Sequence, residues 1–227
     1  VRKEAVQVGG RQLASKWLKT EALLTDPEVA PYIPQTRGLN RENLYSMLES
    51  YGFVVVKPIV GGGGYGVIKI NRSGMGYSIT KSLQTSRYAN FNDMYQALLR
   101  VKVRRKYLIQ QGIHLARIQG RPIDYRVKYV KSGDHWEFRA MVGRLARQGL
   151  FVTNLCKGGR LLSCSEGLRR SLPHISSAAK RNEMRHLTRK CTAILERHFP
   201  GIGQLGFDYG LDYSGKIWIF EVNTRPQ

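Results

Sequence analysis

Gly61-Gly-Gly-Gly-Tyr-Gly66 is a glycine loop with a β-like segment on either side, and that arrangement constrains the fold more than any other stretch. Phe53-Val-Val-Val-Lys57 reads as a buried strand ended by Pro58, and Val67-Ile-Lys-Ile70 reads as a second strand. The loop satisfies Gly-x-Gly-x-x-Gly at Gly61, Gly63 and Gly66, a pattern that is common on its own. A dinucleotide-binding fold needs a helix directly after those glycines, so that its N-terminus can face a pyrophosphate. Here a strand follows. A Walker A loop would close on Gly-Lys-Ser/Thr, and this one does not. Strand, glycine loop, strand is instead a flap whose backbone N–H groups can cover phosphates. Gly62, Gly63, Gly64, Tyr65 and Gly66 are then candidate nucleotide contacts, with a plain glycine-rich hairpin turn as the competing reading.

The other informative stretch is Glu221-Val-Asn223-Thr-Arg225-Pro226. It follows the alternating segment Lys216-Ile-Trp-Ile-Phe220, itself preceded by Gly206-Phe-Asp208-Tyr-Gly-Leu-Asp212. Asp208, Glu221 and Asn223 form a set of hard oxygen ligands on neighbouring strands, the kind Mg²⁺ prefers when it is shared with phosphates. Mn²⁺ suits the same donors. A carboxylate in an apolar strand is costly without a cation or donors, so salt bridges to arginines are the alternative use of Asp208 and Glu221. Asp212 reads as a turn residue before Gly215. Asp208-Tyr-Gly210 mimics the metal-binding triplet of protein kinases, but no His-Arg-Asp catalytic loop precedes it and too little chain follows.

With 227 residues, 42% of them hydrophobic, the chain can build one large domain or two small ones. No apolar run approaches the roughly 18 residues that span a bilayer, and Val1-Arg-Lys-Glu4 lacks the apolar stretch of a signal peptide. Cys156, Cys164 and Cys191 have no metal-ligand spacing, which favours reduced thiols and a cytoplasmic setting. The anomaly is charge: 37 basic against 16 acidic residues, a net of +21. Such an excess attracts nucleic acid, other polyanions, or acidic and phosphorylated substrates. The basic runs at Arg100–Lys106, Arg169-Arg170 and Lys180–Lys190 match no nucleic-acid module and also read as solvated faces.

Pattern and punctuation predict helices over Arg11–Leu24, over Arg41–Glu49 with Asn40 as N-cap, from an Asn92 cap to Leu99, and from Ser176 or Ser177 to His198. The last is amphipathic through Met184, Leu187, Cys191, Ile194 and Leu195. Pro31–Thr36 is an extended linker. Further strands are expected at Tyr77–Thr80, Tyr107–Gln111, Phe151–Asn154, Gln204–Tyr209 and Lys216–Val222. Asp124–Lys131 and Trp136–Val142 should form a hairpin turning at Ser132-Gly133-Asp134.

The order of these pieces resembles the ATP-grasp superfamily: Lys57, the flap, Leu108-Ile-Gln-Gln-Gly-Ile113, Asp124-Tyr-Arg126, Asn154, Asp208 and Glu221-Val-Asn223. Lys16-Trp17, Tyr32-Ile-Pro-Gln-Thr36, Val56-Lys-Pro58 and the closing segment are similar to the YheC/YheD-type proteins of spore-forming bacteria. That resemblance implies an α+β fold in which two α+β subdomains with mostly antiparallel sheets clasp ATP. Residues 1–40 would lead into the grasp, 41–112 form the small subdomain with the flap, and 113–227 the large one with the metal site. It further implies that Lys16 and Lys57 reach nucleotide phosphates and that Gln110, Gln111 and Ile113 hold adenine. Arg126 and Arg144 would face the γ-phosphate or an acyl phosphate, with Asn154 beside the transferred phosphate and metal. Asp208, Glu221 and Asn223 would be the metal ligands.

The chain departs from the family at Gln111, where a Glu is common, at Gly112, where an aromatic is frequent, and at His114, near the expected ribose contact. It departs again at Arg225 and Gln227, in the loop that faces the acceptor in relatives. The expected activity is ATP- and Mg²⁺-dependent joining of a carboxylate to an amine through an acyl phosphate, releasing ADP and phosphate, with at least one substrate acidic or phosphorylated. A nucleotide-binding spore-coat-associated protein without turnover and a basic nucleic-acid-binding protein are the alternatives. Relatives usually carry a further domain before the position of Lys16, which makes this chain a candidate fragment.

Overall fold

A computed structural model describes residues 11–224. Along them run α1 (Lys16–Leu24), β1 (Thr36–Gly38), α2 (Arg41–Tyr51), β2 (Phe53–Pro58), β3 (Ile68–Ser73), β4 (Gly76–Lys81), β5 (Gln84–Tyr88), α3 (Phe91–Val101) and β6 (Tyr107–Gln111). The second half adds β7 (Arg117–Ile118), β8 (Arg121–Ser132), β9 (His135–Leu145), β10 (Arg160–Ser163), α4 (Cys164–Ser171), α5 (Ser177–His198), β11 (Gln204–Leu211) and β12 (Ile217–Asn223). The fold is α+β and every paired strand is antiparallel.

Alternation along β2 sets up the first sheet, ordered β1-β6-β2-β3-β4-β5. Val54 and Val56 point into a core with Ile68, Ile70 and Ile109, closed by Leu44, Met47 and Leu48 of α2 and Met94, Ala97 and Leu98 of α3. The opposite face of β2 therefore presents Val55 and Lys57 to the cleft, because successive side chains alternate. The second sheet, ordered β10-β9-β8-β11-β12 with β7 on β8, buries Tyr125, Val127, Phe207 and Tyr209. Against them pack Met184, Leu187, Cys191, Ile194 and Leu195 of α5, the stripe read from its spacing. Fully burying side chains of this size stabilises by about 1.5–3 kcal/mol each.

Several boundaries differ from the pattern, each for a local reason. α1 begins only at Lys16, because Ser15 caps it by accepting from Leu18 N, while Leu13 is tied to Thr224 across the chain. The cap of α3 is Asn90, not Asn92: Asn90 accepts from Asp93 N at 2.9 Å and donates to Asp93 Oδ2 at 2.8 Å. This reciprocal pairing resembles a capping box. Asn92 instead accepts from Arg41. Pro58 is the last residue of β2 rather than its terminator. Phe151–Asn154 is not a strand; it runs irregularly into a tight turn at Leu155–Lys157. β1, β5, β7, β10 and α4 left no usable pattern, being short or largely polar. α2 with its Asn40 cap, β6 and the β8–β9 hairpin form as expected. β1 pairs with β6, so residues 36–38 extend the first sheet. Among the described residues no helix is long and apolar enough to cross a membrane.

Candidate functional site

Between the two sheets lies a cleft of about 970 Å³. β2 and β6 bring Lys57, Gln110 and Gln111 to one wall; β8, β9, β11 and β12 bring Arg126, Arg144, Asp208, Glu221 and Asn223 to the other. Lys16 from the start of α1, Gly62–Tyr65 of the flap, Ile113 and Asn154 complete it. Of the residues expected from sequence only Gly66 stays outside the lining, at φ +72° and where an added Cβ would stand 2.8 Å from Tyr107 Oη and 3.0 Å from Pro58 Cγ.

Strand register explains the polar wall. Asp208 on β11 lies opposite Arg126 on β8 and opposite Glu221 on β12. Asp124, two residues before Arg126, lies opposite Arg144 on β9. Alternation puts Asp124, Arg126, Arg144 and Asp208 on one face, a bulge at Phe220 brings Glu221 to the same face, and cross-strand pairing brings opposite charges together. Arg126 grips both oxygens of Asp208, one at 3.0 Å. Arg144 forks onto Asp124 at 2.8 and 2.5 Å and reaches Asp208 Oδ1 at 3.1 Å. Such bidentate guanidinium–carboxylate bonds are strong and fixed in direction. Burial alone would raise Asp208, but Arg144 and Arg126 outweigh it and hold the carboxyl below its usual range. Burial pushes Asp124 up against the pull of the guanidinium that it shares with Asp208.

At the other side Lys16 Nζ lies 3.2 Å from Glu221 Oε1 and also donates to the Gly61 carbonyl, tying α1, the flap and β12 together. Lys57 Nζ donates to Gln110 Oε1 and to the Phe220 carbonyl, each at 2.9 Å. Desolvation lowers Lys57 to about 8, with Glu221 opposing the fall and Lys16 adding to it.

Residues 6–227 match the family described as YheC/D-like ATP-grasp. The chain belongs to that family. It is 29% identical over 220 residues to the endospore coat-associated protein YheD of Bacillus subtilis (strain 168), covering 93% of this chain and 48% of YheD. It is 26% identical over 225 residues to the endospore coat-associated protein YheC of the same organism, covering 96% of this chain and 61% of YheC. The chain thus spans about half to three-fifths of the relatives it matches. Among solved structures it resembles carboxyaminoimidazole ribonucleotide synthase of Aspergillus clavatus complexed with ATP (TM-score 0.59, 17% identity, 96% of this chain and 46% of that one). It also resembles N5-carboxyaminoimidazole synthetase of Staphylococcus aureus complexed with ADP (TM-score 0.59, 12% identity, 95% and 46%). At such identities the likeness establishes the ATP-grasp fold.

Within this ATP-grasp cleft the three expected metal ligands share one face of β11 and β12: Asp208 opposite Glu221, and Asn223 two residues further along. Two carboxylates and an amide oxygen are hard donors that suit Mg²⁺. Both carboxylates are already paired with cations, so a metal ion would take over part of the charge compensation that Lys16, Arg126 and Arg144 supply. Among the described residues no three His, Cys, Asp or Glu side chains gather as a metal site, so Asn223 and phosphate oxygens would have to complete the set. Arg225 and Gln227, where the sequence departs from the family, lie outside the described residues.

The departures at Gln111, Gly112 and His114 are built into the local packing. A Cβ on Gly112 would stand 2.1 Å from the Phe53 ring, so an aromatic residue cannot occupy that position here. His114 meets the same ring edge-to-face at 4.7 Å, and Gln111 Oε1 accepts from Gln35 N at 3.2 Å. Asp212 anchors the β11–β12 turn, accepting from Ser214, Lys216 and Trp218.

Sequence reasoning missed the contacts that hold the flap down. Lys157 Nζ sits 3.6 Å from the Tyr65 ring centroid, Cys156 Sγ donates to Gly63 O at 3.3 Å, and a Cβ on Gly64 would lie 2.5 Å from Asn154 Oδ1. A cation over an exposed ring contributes about 0.5–1 kcal/mol. Lys157→Ala should therefore loosen the flap by a few-fold in its open–closed ratio, read as faster proteolysis or amide exchange across 61–66 with the core unchanged. No change in exchange there would exclude the clasp. The signal in sequence was present but weak: a Lys-Gly-Gly after an Asn-Leu-Cys turn.

The lowered Lys57 gives a second expectation. Its folded value of about 8 lies below the 10.5 of a free lysine, so the unfolded chain holds more protons between those values and stability from this group rises with pH across that window. A phosphate ligand favours the protonated form, so nucleotide affinity should fall above pH 8 by up to about tenfold per pH unit for a one-proton linkage. Titration calorimetry from pH 7 to 9.5 checks this. Lys57→Met should bind more weakly at pH 7 and lose that slope, and an unaltered slope would remove Lys57 from the phosphate site.

Proposed function

We propose that this chain is the nucleotide-binding core of an ATP-dependent carboxylate–amine ligase that works through an acyl phosphate. The observation that carries the proposal is the convergence of Lys16, Lys57, Arg126, Arg144, Asp208, Glu221 and Asn223 in one cleft roofed by the glycine flap. Membership of the YheC/D-like ATP-grasp family supports it, as do folds shared with proteins solved with ATP and ADP.

On this reading Lys16 and Lys57 bind the triphosphate while flap N–H groups cover it, and Gln110, Gln111 and Ile113 lie along adenine. A carboxylate oxygen of the acid attacks the γ-phosphorus, the bond to the bridging oxygen breaks, and ADP forms. The amine nitrogen then attacks the acyl carbon, phosphate leaves, and the amine gives up a proton. Arg126 and Arg144, fixed by Asp208 and Asp124 through Nε and Nη2, would turn their Nη1 donors to the phosphoryl oxygens as their geometry changes, and Asn154 adds a donor at the flap. Mg²⁺ bound through Asp208, Glu221 and Asn223 would neutralise phosphate charge. Closing the flap excludes water, which would otherwise hydrolyse the acyl phosphate.

The test is ADP release in the presence of Mg²⁺ and pooled acids and amines. Release that requires one acid and one amine together is the expected result. ATP hydrolysis indifferent to every pool, or no nucleotide binding at all, overturns the proposal. A second reading follows from the names of the two curated relatives: association with the endospore coat, with the nucleotide bound but not turned over. Tight ATP binding with no acid- or amine-dependent turnover would favour it. The nucleic-acid reading rests on net charge alone.

A further inference from the structure

β9 runs well past the end of β10. The two pair only over Val142–Leu145, after which the chain leaves Ser163 into α4, and a cavity of about 370 Å³ opens beside the uncovered part of β9. It is lined by Phe138, Met141, Ser165, Arg181 and Arg185 among others, and no carboxylate lines it.

The polar groups around it are unbalanced in one direction. Among the described residues the buried side-chain atoms left without a hydrogen-bond partner are all N–H donors: Arg181 Nε, Arg185 Nε and Trp136 Nε1. The first two belong to residues of the cavity wall, one turn apart on α5. Buried donors are almost always satisfied, so these two, closed off from water inside the wall, mark guanidinium groups whose hydrogen-bonding capacity the protein itself does not use up. The guanidinium carbon of Arg185 lies over the Phe138 ring, 4.9 Å from its centroid, with that of Arg189 at 5.2 Å from the same ring. Arg181 is steadied by its Nη1 donating to Ser165 Oγ at 3.0 Å. Neighbouring acids are committed elsewhere: Glu137 to His135 and Arg139, Glu166 to Arg170, Glu183 to Lys180. The first turn of α4, capped by Ser163 at Glu166 N, presents Cys164 and Ser165 to the same space, and the positive end of its dipole favours an anion there.

We propose that this cavity is an oxyanion site separate from the nucleotide cleft, built to take a phosphate group. The two positioned guanidinium groups offer the donors, and the volume amounts to roughly a dozen water molecules, enough for a phosphate and the organic part of a monoester. Ala140 lines both this cavity and the nucleotide cleft, so the two sites are separated by little more than the thickness of the sheet. Nothing in this inference depends on the ligase reading.

The experiment is an NMR titration of the arginine Nε–H resonances with inorganic phosphate and with phenyl phosphate. Saturable shifts at Arg181 and Arg185, weakened at least tenfold in Arg185→Gln, are the expected result. Arg72→Gln, at an exposed residue of the other sheet already paired with Glu49, should change little. Should Arg185→Gln fail to fold, Arg181→Lys keeps the charge but loses the fork and should weaken binding by a similar factor. A tighter fit for phenyl phosphate assigns the site to a monoester, whereas equal or tighter binding of inorganic phosphate assigns it to the free ion. Shifts confined to the nucleotide cleft, no shifts, or equal affinity in Arg185→Gln overturn the proposal.

Discussion

Arg144→Ala should destabilise the protein by about 3–5 kcal/mol at neutral pH, the cost of breaking a buried ion pair from one side. Its guanidinium is the only group that bonds both Asp124 and Asp208 among the described contacts, and its side chain is only 8% exposed. Domains of this kind are stable by about 5–15 kcal/mol in total, so the loss would be visible in any urea titration. The pH dependence identifies the cause. In the intact protein Asp208 is held low, so its stabilising contribution is present above the unfolded carboxylate range and fades as pH falls through the lower folded value. In the variant Asp124 loses its counter-charge and its folded value rises further above the unfolded one. That contribution is present at low pH and lost as pH climbs through the raised value. On acidification from pH 7 toward pH 4 the raised Asp124 shrinks the gap between variant and parent, and below about pH 4 the fading Asp208 contribution shrinks it further. A gap that stays constant would mean that lost packing, not stranded charge, accounts for the effect. Arg144→Lys, which keeps the charge and loses the fork, should fall between the two.

That network also shows how far sequence reaches. Alternation in β2 and β11 is enough to put Lys57 and Asp208 on cleft-facing positions, because one face of each sheet is committed to an apolar core. Glu221 is not placed that way, since Ile217 and Ile219 face the core and only the bulge that leaves Phe220 unpaired turns Glu221 to the cleft. Arg126 and Asp208 were both legible as candidates, but their direct pairing was not. It depends on the register of β8 against β11, a long-range property that no local pattern carries. Asp124 shows the same limit. It stands two residues before Arg126 and so shares its face, yet only the β8–β9 register reveals that Arg144 is its partner.

Elements fared by length and apolar content. α5 and the β8–β9 hairpin are long and strongly patterned, and they form where the periodicity puts them. α4 is eight residues with two adjacent arginines and a glycine, and β10 alternates over only four. Both owe their structure to tertiary packing, α4 by burying Leu168 in the core beside Leu172. The extended reading of 151–154 failed because Phe-Val-Thr has strand propensity but no neighbouring strand to pair with; Thr153 is buried beside Asp124 instead. Gly112 is the most instructive departure. From sequence it was a missing aromatic, and in the structure it is the space into which Phe53 packs.

Glu221→Ala should separate two effects that a simple loss of function would merge. In the structure Glu221 holds Lys16, whose ammonium also reaches the flap at Gly61. Deleting the carboxylate removes one negative charge from the end of the cleft proposed to hold the phosphates and frees one positive charge. Metal-free ATP, measured with chelator present, should therefore bind the variant as well as the parent or a few-fold more tightly. Binding in the presence of Mg²⁺ should show the reverse, because a hard oxygen donor is gone. A loss of tenfold or more in the Mg²⁺-dependent increment, about 1.4 kcal/mol, is the expected size. Glu221→Gln keeps an oxygen donor but not the charge, and should retain part of that increment. If Glu221 served only to pin Lys16, both affinities would fall together as the flap loosened. If it played no part in the site, neither would move. The crossed result, tighter without metal and weaker with it, is the one that assigns Glu221 to a cation shared with the phosphates, and calorimetry with and without Mg²⁺ reads it directly.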